Sequence, residues 1–210
     1  MQNLDASTKT ATLYYVYDPM CSWCYAFRPT WQQVQQQLPK HIQIQTVLGG
    51  LAPDTDEPMP LATQQMVQAN WQKIIQAVPG TVFNFDFWTN CQPRRSTYPA
   101  CRAVLAAEAQ RFAASTRMLE AIQNAYYQQA RNPSDLRILI QLAAELSLDI
   151  QRFELDIQST EIQEQLEQDF VWADQLGVTS FPSLVLRHDQ GLIRIQHSYT
   201  DAQVILKQLA

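Results

Sequence analysis

The stretch YDPMCSWCYAFRPTW, residues 17–31, places Cys21 and Cys24 three positions apart at the seam between a strand and a helix. Upstream, TLYYVYD at 12–18 is rich in Thr, Tyr and Val and reads as a strand, which Pro19 ends. Downstream, Phe27, Trp31, Val34 and Leu38 recur at spacings of four, three and four, the pattern of one helix face. Pro29 removes a backbone donor inside that helix and is expected to kink it, and Pro39 ends it. HIQIQTVL at 41–48 alternates apolar and polar residues and reads as a second strand. Strand, helix and strand in this order predict a parallel βαβ unit.

Two thiols at a helix start have a chemical use. Unpaired backbone N–H groups and the positive end of the helix dipole favour thiolate over thiol at the first sulfur. The second sulfur lies one turn along, within reach of a disulfide. Cys21 is therefore the expected nucleophile, attacking a substrate disulfide, and Cys24 the thiol that resolves the mixed disulfide. Exposure at the helix head is expected to make Cys21 the fast-alkylating thiol. Two other readings compete. A zinc site needs a second ligand pair, which Cys91 and Cys101 do not resemble in spacing, and His41, His188 and His197 form no cluster. The pair could also be two buried core thiols. Cys91 and Cys101 read as an incidental thiol and a buried one, with a second redox pair as the alternative. Cys101 opens a helix behind Pro99, a position that could also lower its pKa.

Beyond Gly49-Gly50 a Pro-rich loop leads into a helical region reaching about residue 155, with expected pieces at 62–77, 99–114, 116–130 and 134–146 and a shorter one from Asp149. Ser134, after Asn132-Pro133, is a candidate cap. A further helix follows Ser159 or Thr160 and stops at Gly177. Strands at 183–187 and 192–196 flank a turn at 189–191, and a helix capped by Thr200 closes the chain. Phe181-Pro182 precedes the third strand, and proline is the residue for which a cis peptide is cheap.

Hydrophobic residues make up 46% of the 210, enough for a substantial core, and charged residues only 17%. A net charge of −5 argues against nucleic acid as partner. No apolar run approaches a membrane span. The first residues, MQNLDASTKTATLYY, lack the basic start and apolar stretch of a signal peptide, so a cytoplasmic location is expected, where structural disulfides are rare.

Three stretches carry a family resemblance: Asp18-Pro19-Met20-Cys21-Ser22-Trp23-Cys24-Tyr25, then Tyr98-Pro99-Ala100-Cys101-Arg102-Ala103-Val104, then Gly177-Val178 with Phe181-Pro182. With them the chain resembles the DsbA-like branch of the thioredoxin superfamily, and more narrowly the cytoplasmic FrnE-like proteins termed protein-disulfide isomerases. The resemblance implies an α/β, thioredoxin-like fold with a large all-helical insertion after the second strand. Residues 1–50 with 157–210 would form the thioredoxin-like domain, and 51–156 the insertion, a lid over the site. It implies thiol–disulfide exchange of the reductase or isomerase type through Cys21 and Cys24, on disulfide-containing proteins or small thiols. It also implies a cis-proline at Pro182 facing the cysteines; Phe181, Trp23 and Met20 complete the expected substrate-binding set. No organic cofactor or metal is expected, with glutathione a candidate redox co-substrate. Ser22-Trp23 between the cysteines supplies no basic group, so a milder thiolate stabilisation than in DsbA is expected. The alternative is a glutathione-dependent transferase or isomerase of the kappa-class or hydroxychromene-carboxylate type, whose single active serine the two cysteines do not match. A peptide-binding module built on the aromatic residues around the site is a third.

Overall fold

A computed structural model describes residues 11–111 and 113–209. The first ten residues, on which part of the signal-peptide reading rests, lie outside the described residues, as does Phe112 in the expected 99–114 helix. Strand β1 (Ala11–Tyr17) leads through Asp18-Pro19-Met20-Cys21 into α1 (Ser22–Gln37), and β2 (Ile42–Leu48) follows. β1 and β2 pair in parallel from Ala11↔Ile42 to Tyr17↔Leu48, as the βαβ reading expects. Helices α2 (Leu61–Ala77), α3 (Phe87–Asn90), α4 (Tyr98–Gln110), α5 (Ala114–Tyr127), α6 (Leu136–Glu145) and α7 (Ile150–Asp156) come next. Then α8 (Thr160–Gln175), β3 (Ser183–His188), β4 (Gly191–Ile195) and α9 (Gln203–Leu206) return the chain to the sheet. The sheet order is β2-β1-β3-β4, with β3 antiparallel to both its neighbours. This is a thioredoxin-like fold with an all-helical insertion after its second strand.

The predicted face of α1 is the buried one. Phe27, Trp31 and Val34 pack on the sheet against Tyr15, with the Tyr15 and Trp31 rings 4.6 Å apart. Each such side chain contributes about 1.5–3 kcal/mol by burial. Residues Tyr25 and Ala26, on another face of α1, enter a second core with Trp71, Phe83, Phe87 and Tyr127 of the insertion. α1 is thus shared between two cores, which fixes the insertion against the sheet domain. α1 runs on through Pro29 and is unbroken across 22–37. The opposite sheet face, Tyr14, Val16 and Val185, is covered by Ala173 and Leu176 at the end of α8.

Several expected boundaries move. Ser134 does not cap α6; its hydroxyl donates to the Ser96 carbonyl at 2.7 Å, and Asp135 occupies the cap position. Tertiary bonding has taken the side chain that a local cap would have used. Thr200 likewise does not cap the closing helix, which starts after Ala202 and has only four residues. α4 ends at Gln110 because Arg111 turns extended, earlier than its apolar pattern predicts. α3, one turn long, carries no periodicity and was not expected. Ser159 does cap α8, accepting from the Ile162 N–H at 3.2 Å, and Gly177 ends it at a φ of +69°.

Candidate active site

Antiparallel pairing of β1 with β3 sets Val16 opposite Ser183. The end of β1 and the start of β3 therefore lie side by side, and so do the segments beyond them. That is how Cys21 meets Phe181, 160 positions away, and the Phe181–Pro182 peptide there is cis. The Cys21 thiol donates to the Phe181 carbonyl at 3.6 Å. As N-cap of α1, its sulfur accepts from the Cys24 N–H at 3.4 Å. Cys24 is fully buried, and all four cysteines are free thiols. Burial, followed by the neighbouring Cys21 sulfur, holds the Cys24 thiol well above its ordinary pKa, against a lowering contribution from the Asp18 N–H.

The exposure expected of Cys21 is corrected. It is only 6% exposed and belongs to the core cluster beneath the sheet. The Phe181 carbonyl and the α1 head close over it. Cys91, half-buried, is the more open thiol, so exposure does not single out Cys21.

The other expected site residues divide. Pro182 is buried and Phe181 half-buried beside Cys21. Phe181 lies flat against the loop after β2, where a Cβ added at Gly49 would overlap its ring. Trp23 is half-buried, its ring 4.8 Å from that of Tyr199. Met20 turns towards the insertion: its sulfur lies 4.0 Å from the Ser134 hydroxyl, and its carbonyl accepts from the Tyr127 hydroxyl at 2.6 Å. Cys91 packs in the insertion core and donates to the Ala130 carbonyl at 3.0 Å, whereas Cys101 sits in the sheet-domain core, so the two thiols occupy different cores. The lowered pKa considered for Cys101 is also corrected. Burial, then the adjacent Asp18 carboxylate, pushes it well up.

Asp18 is the residue that sequence reasoning passed over. It is fully buried. One carboxylate oxygen accepts from the Met20 N–H at 2.7 Å. The other accepts from the Leu51 N–H at 2.7 Å and the Thr97 hydroxyl at 2.6 Å, with the Cys101 sulfur at 3.8 Å. It therefore joins the dithiol loop, the turn after β2 and the head of α4. Burial raises its pKa, and the four donors oppose that rise. The signal available in the sequence was a single acidic residue at the end of an apolar strand.

Asp169 of α8 is a second raised carboxyl, pushed up to about 6 by burial, with the Leu48 N–H opposing and Glu108 reinforcing the shift. Between the ordinary carboxylate value of about 4 and about 6, the folded chain binds more protons at Asp169 than the unfolded chain does. Stability held below that window is lost as pH rises through it, by at most about 3 kcal/mol. Asp169→Asn should remove this part of the fall. Urea midpoints measured at intervals from pH 4 to 7 test it, and an unchanged slope in the variant would contradict it.

Among the described residues no helix is long and apolar enough to cross a membrane, and no three His, Cys, Asp or Glu side chains converge on a metal position. Residues 14–199 match the thioredoxin family. A structure from Nitrosomonas europaea, described as a candidate protein disulfide isomerase, superposes with a TM-score of 0.81 at 27% identity over 96% of both chains. The cytosolic disulfide reductase DsbM from Pseudomonas aeruginosa gives 0.71 at 26% identity over 94% of this chain and 93% of that one. DsbM has also been solved with glutathione, at a TM-score of 0.70. Among curated sequences, the ClpXP adapter protein SpxH from Bacillus subtilis is 22% identical over 195 residues, 91% of this chain but 64% of that protein's length. With the family matched over most of its length and this fold around the cysteine pair, the chain belongs to the thioredoxin family, in its DsbA-like branch.

Proposed function

We propose that the protein is a thiol–disulfide oxidoreductase that reduces or isomerises disulfides in the cytoplasm, with Cys21 as nucleophile and Cys24 as resolving thiol. One observation carries this reading: the Cys21 sulfur is held between the Cys24 N–H at 3.4 Å and the Phe181 carbonyl at 3.6 Å, with Cys24 buried one turn below. The helix-terminal Cys24 amide directs a donor at the sulfur that attacks. In the first step the Cys21 thiolate forms a bond to one substrate sulfur, and the substrate disulfide breaks, releasing its other sulfur as a thiolate. In the second step the Cys24 sulfur, losing its proton to the departing thiolate, bonds to the Cys21 sulfur and frees the substrate. Two electrons have then passed to the substrate, and a thiol reductant such as glutathione returns the Cys21–Cys24 disulfide to the dithiol. The similarity to the Nitrosomonas disulfide isomerase candidate and to the Pseudomonas disulfide reductase supports the reading, and the cytosolic place of the latter supports the compartment.

The test is reduction of insulin disulfides, with glutathione conjugation to chlorodinitrobenzene as the contrast. Reduction without conjugation is the expected result. Conjugation without reduction would replace this reading with a glutathione transferase. A second reading, an adapter that presents a bound protein to a protease, is favoured by the SpxH similarity. It predicts partner binding that survives loss of both cysteines.

A further inference from the structure

A cleft of about 540 Å³ opens beside α1, between the end of α2 and the segment at Tyr199-Thr200. Arg28 supplies the only charged side chain among its described lining residues; the rest are apolar or neutral polar groups such as Tyr25, Thr81 and Gln128. In a chain of net charge −5, that is a local reversal of sign. The guanidinium makes no ion pair among the described residues. It reaches only amide oxygens, Gln123 Oε1 at 3.4 Å and Asn124 Oδ1 at 3.3 Å, and lies over the Tyr25 ring at 5.3 Å from its centre. Long bonds to neutral acceptors leave its charge largely uncompensated, and its fork suits a carboxylate. Two acidic side chains stand near it and neither lines the cleft: Glu120, one turn before Asn124 on α5, accepts from the Gln32 amide at 3.2 Å, and Asp201, next to Thr200, accepts from the Gln203 N–H.

The cleft is also in line with the dithiol. Cys21, Tyr25 and Arg28 stand at i, i+4 and i+7, on one stripe of α1, so Arg28 lies about 10 Å along the axis from Cys21. Tyr199 lines the cleft and packs on Trp23 between the cysteines, so one wall is continuous from the site to Arg28.

We propose that this cleft takes the carboxylate-bearing arm of a peptide-sized thiol or disulfide substrate, with Arg28 as the carboxylate anchor. The inference rests on the oxidoreductase reading for the chemistry at Cys21, but not for the binding. Two sources carry that chemistry: glutathione, and an acidic segment beside a protein cysteine.

The experiment has a binding arm and a rate arm. Calorimetry with S-methylglutathione, which keeps the carboxylates but cannot exchange, should show binding to the protein and loss of binding in Arg28→Gln, with partial retention in Arg28→Lys. In stopped-flow oxidation of the reduced protein, the rate constant for glutathione disulfide relative to the uncharged bis(2-hydroxyethyl) disulfide should fall about tenfold in Arg28→Gln, the scale of one charge-assisted contact. Should S-methylglutathione not bind, an Arg28-dependent preference for an acidic cystine peptide over its amidated form identifies the protein source. An unchanged rate ratio together with no Arg28-dependent binding overturns the proposal. If the protein oxidises with neither disulfide, the oxidoreductase reading fails while the calorimetry still decides the cleft.

Discussion

Cys21→Ser is expected to abolish disulfide exchange, lowering turnover by about a thousandfold or more, because a serine hydroxyl does not attack a disulfide at neutral pH. The substitution is nearly isosteric. The new hydroxyl can keep both contacts of the thiol, accepting from the Cys24 N–H and donating to the Phe181 carbonyl, so the fold should persist. Cys24→Ser has a different signature. Cys21 can still attack, but no second sulfur stands below it to release the substrate, so mixed disulfides should accumulate. Non-reducing gels and intact-mass spectra after exposure to oxidised insulin separate the two variants: one without adducts, one with an adduct on Cys21. Cys21→Ser that kept its turnover would remove Cys21 from the mechanism. Adducts on Cys91 in either variant would shift the chemistry to the more open thiol.

The parts of this site that were readable in the sequence are those built from local pattern. The Cys pair sits next to a strand and on a helix whose apolar period gave the buried face of Phe27, Trp31 and Val34 correctly. Phe181-Pro182 stood immediately before a strand, and pairing of that strand with β1 brought it to the cysteines. What was not readable depends on long-range partners. Asp18 looks like any acidic residue at a strand end until Leu51 and Thr97, 33 and 79 positions on, bring donors to it. Ser134 has the local features of a helix cap, but the Ser96 carbonyl lies within its reach and the tertiary bond prevails. Met20 sits beside Cys21 in sequence, yet its carbonyl and sulfur are held by Tyr127 and Ser134 of the insertion. The burial of Cys21 follows from the same cause, since the chain that covers it is Phe181 rather than any neighbour in sequence.

Asp18→Ala should produce the largest loss of stability of any single change near the site. It leaves the Met20 and Leu51 N–H groups and the Thr97 hydroxyl without their acceptor in a position with no solvent access. The Thr97 hydroxyl has a fallback in the Ala52 carbonyl at 3.4 Å and the Leu51 N–H in the Thr97 hydroxyl oxygen at 3.1 Å, but the Met20 N–H has none among the described residues. Breaking a buried charged hub in this way costs about 3–5 kcal/mol. Asp18→Asn should cost less, about 1–3 kcal/mol. Its single oxygen serves one side of the hub, and its NH2 group then faces a donor on the other. Against this, the neutral amide escapes the burial penalty that raises the Asp18 pKa. That offset has a sign. Because the folded value lies above the ordinary one, the wild-type carboxyl loses stability as pH rises from the ordinary carboxylate range, so the deficit of Asp18→Asn should be largest in acid and shrink as pH rises. The groups that donate to Asp18 are Thr97, just before α4, Cys101 of α4 and the amides of Met20 and Leu51, none of them cationic, so no counter-charge among them cancels this trend. Exchange should fall along with stability in Asp18→Ala, because the Met20 N–H, one residue before Cys21, loses its acceptor while only the carbonyl and sulfur of Met20 stay held. Denaturant midpoints across pH and insulin reduction measure both effects. An Asp18→Ala protein with unchanged midpoint and rate would show that the hub neither holds the fold nor positions the dithiol loop.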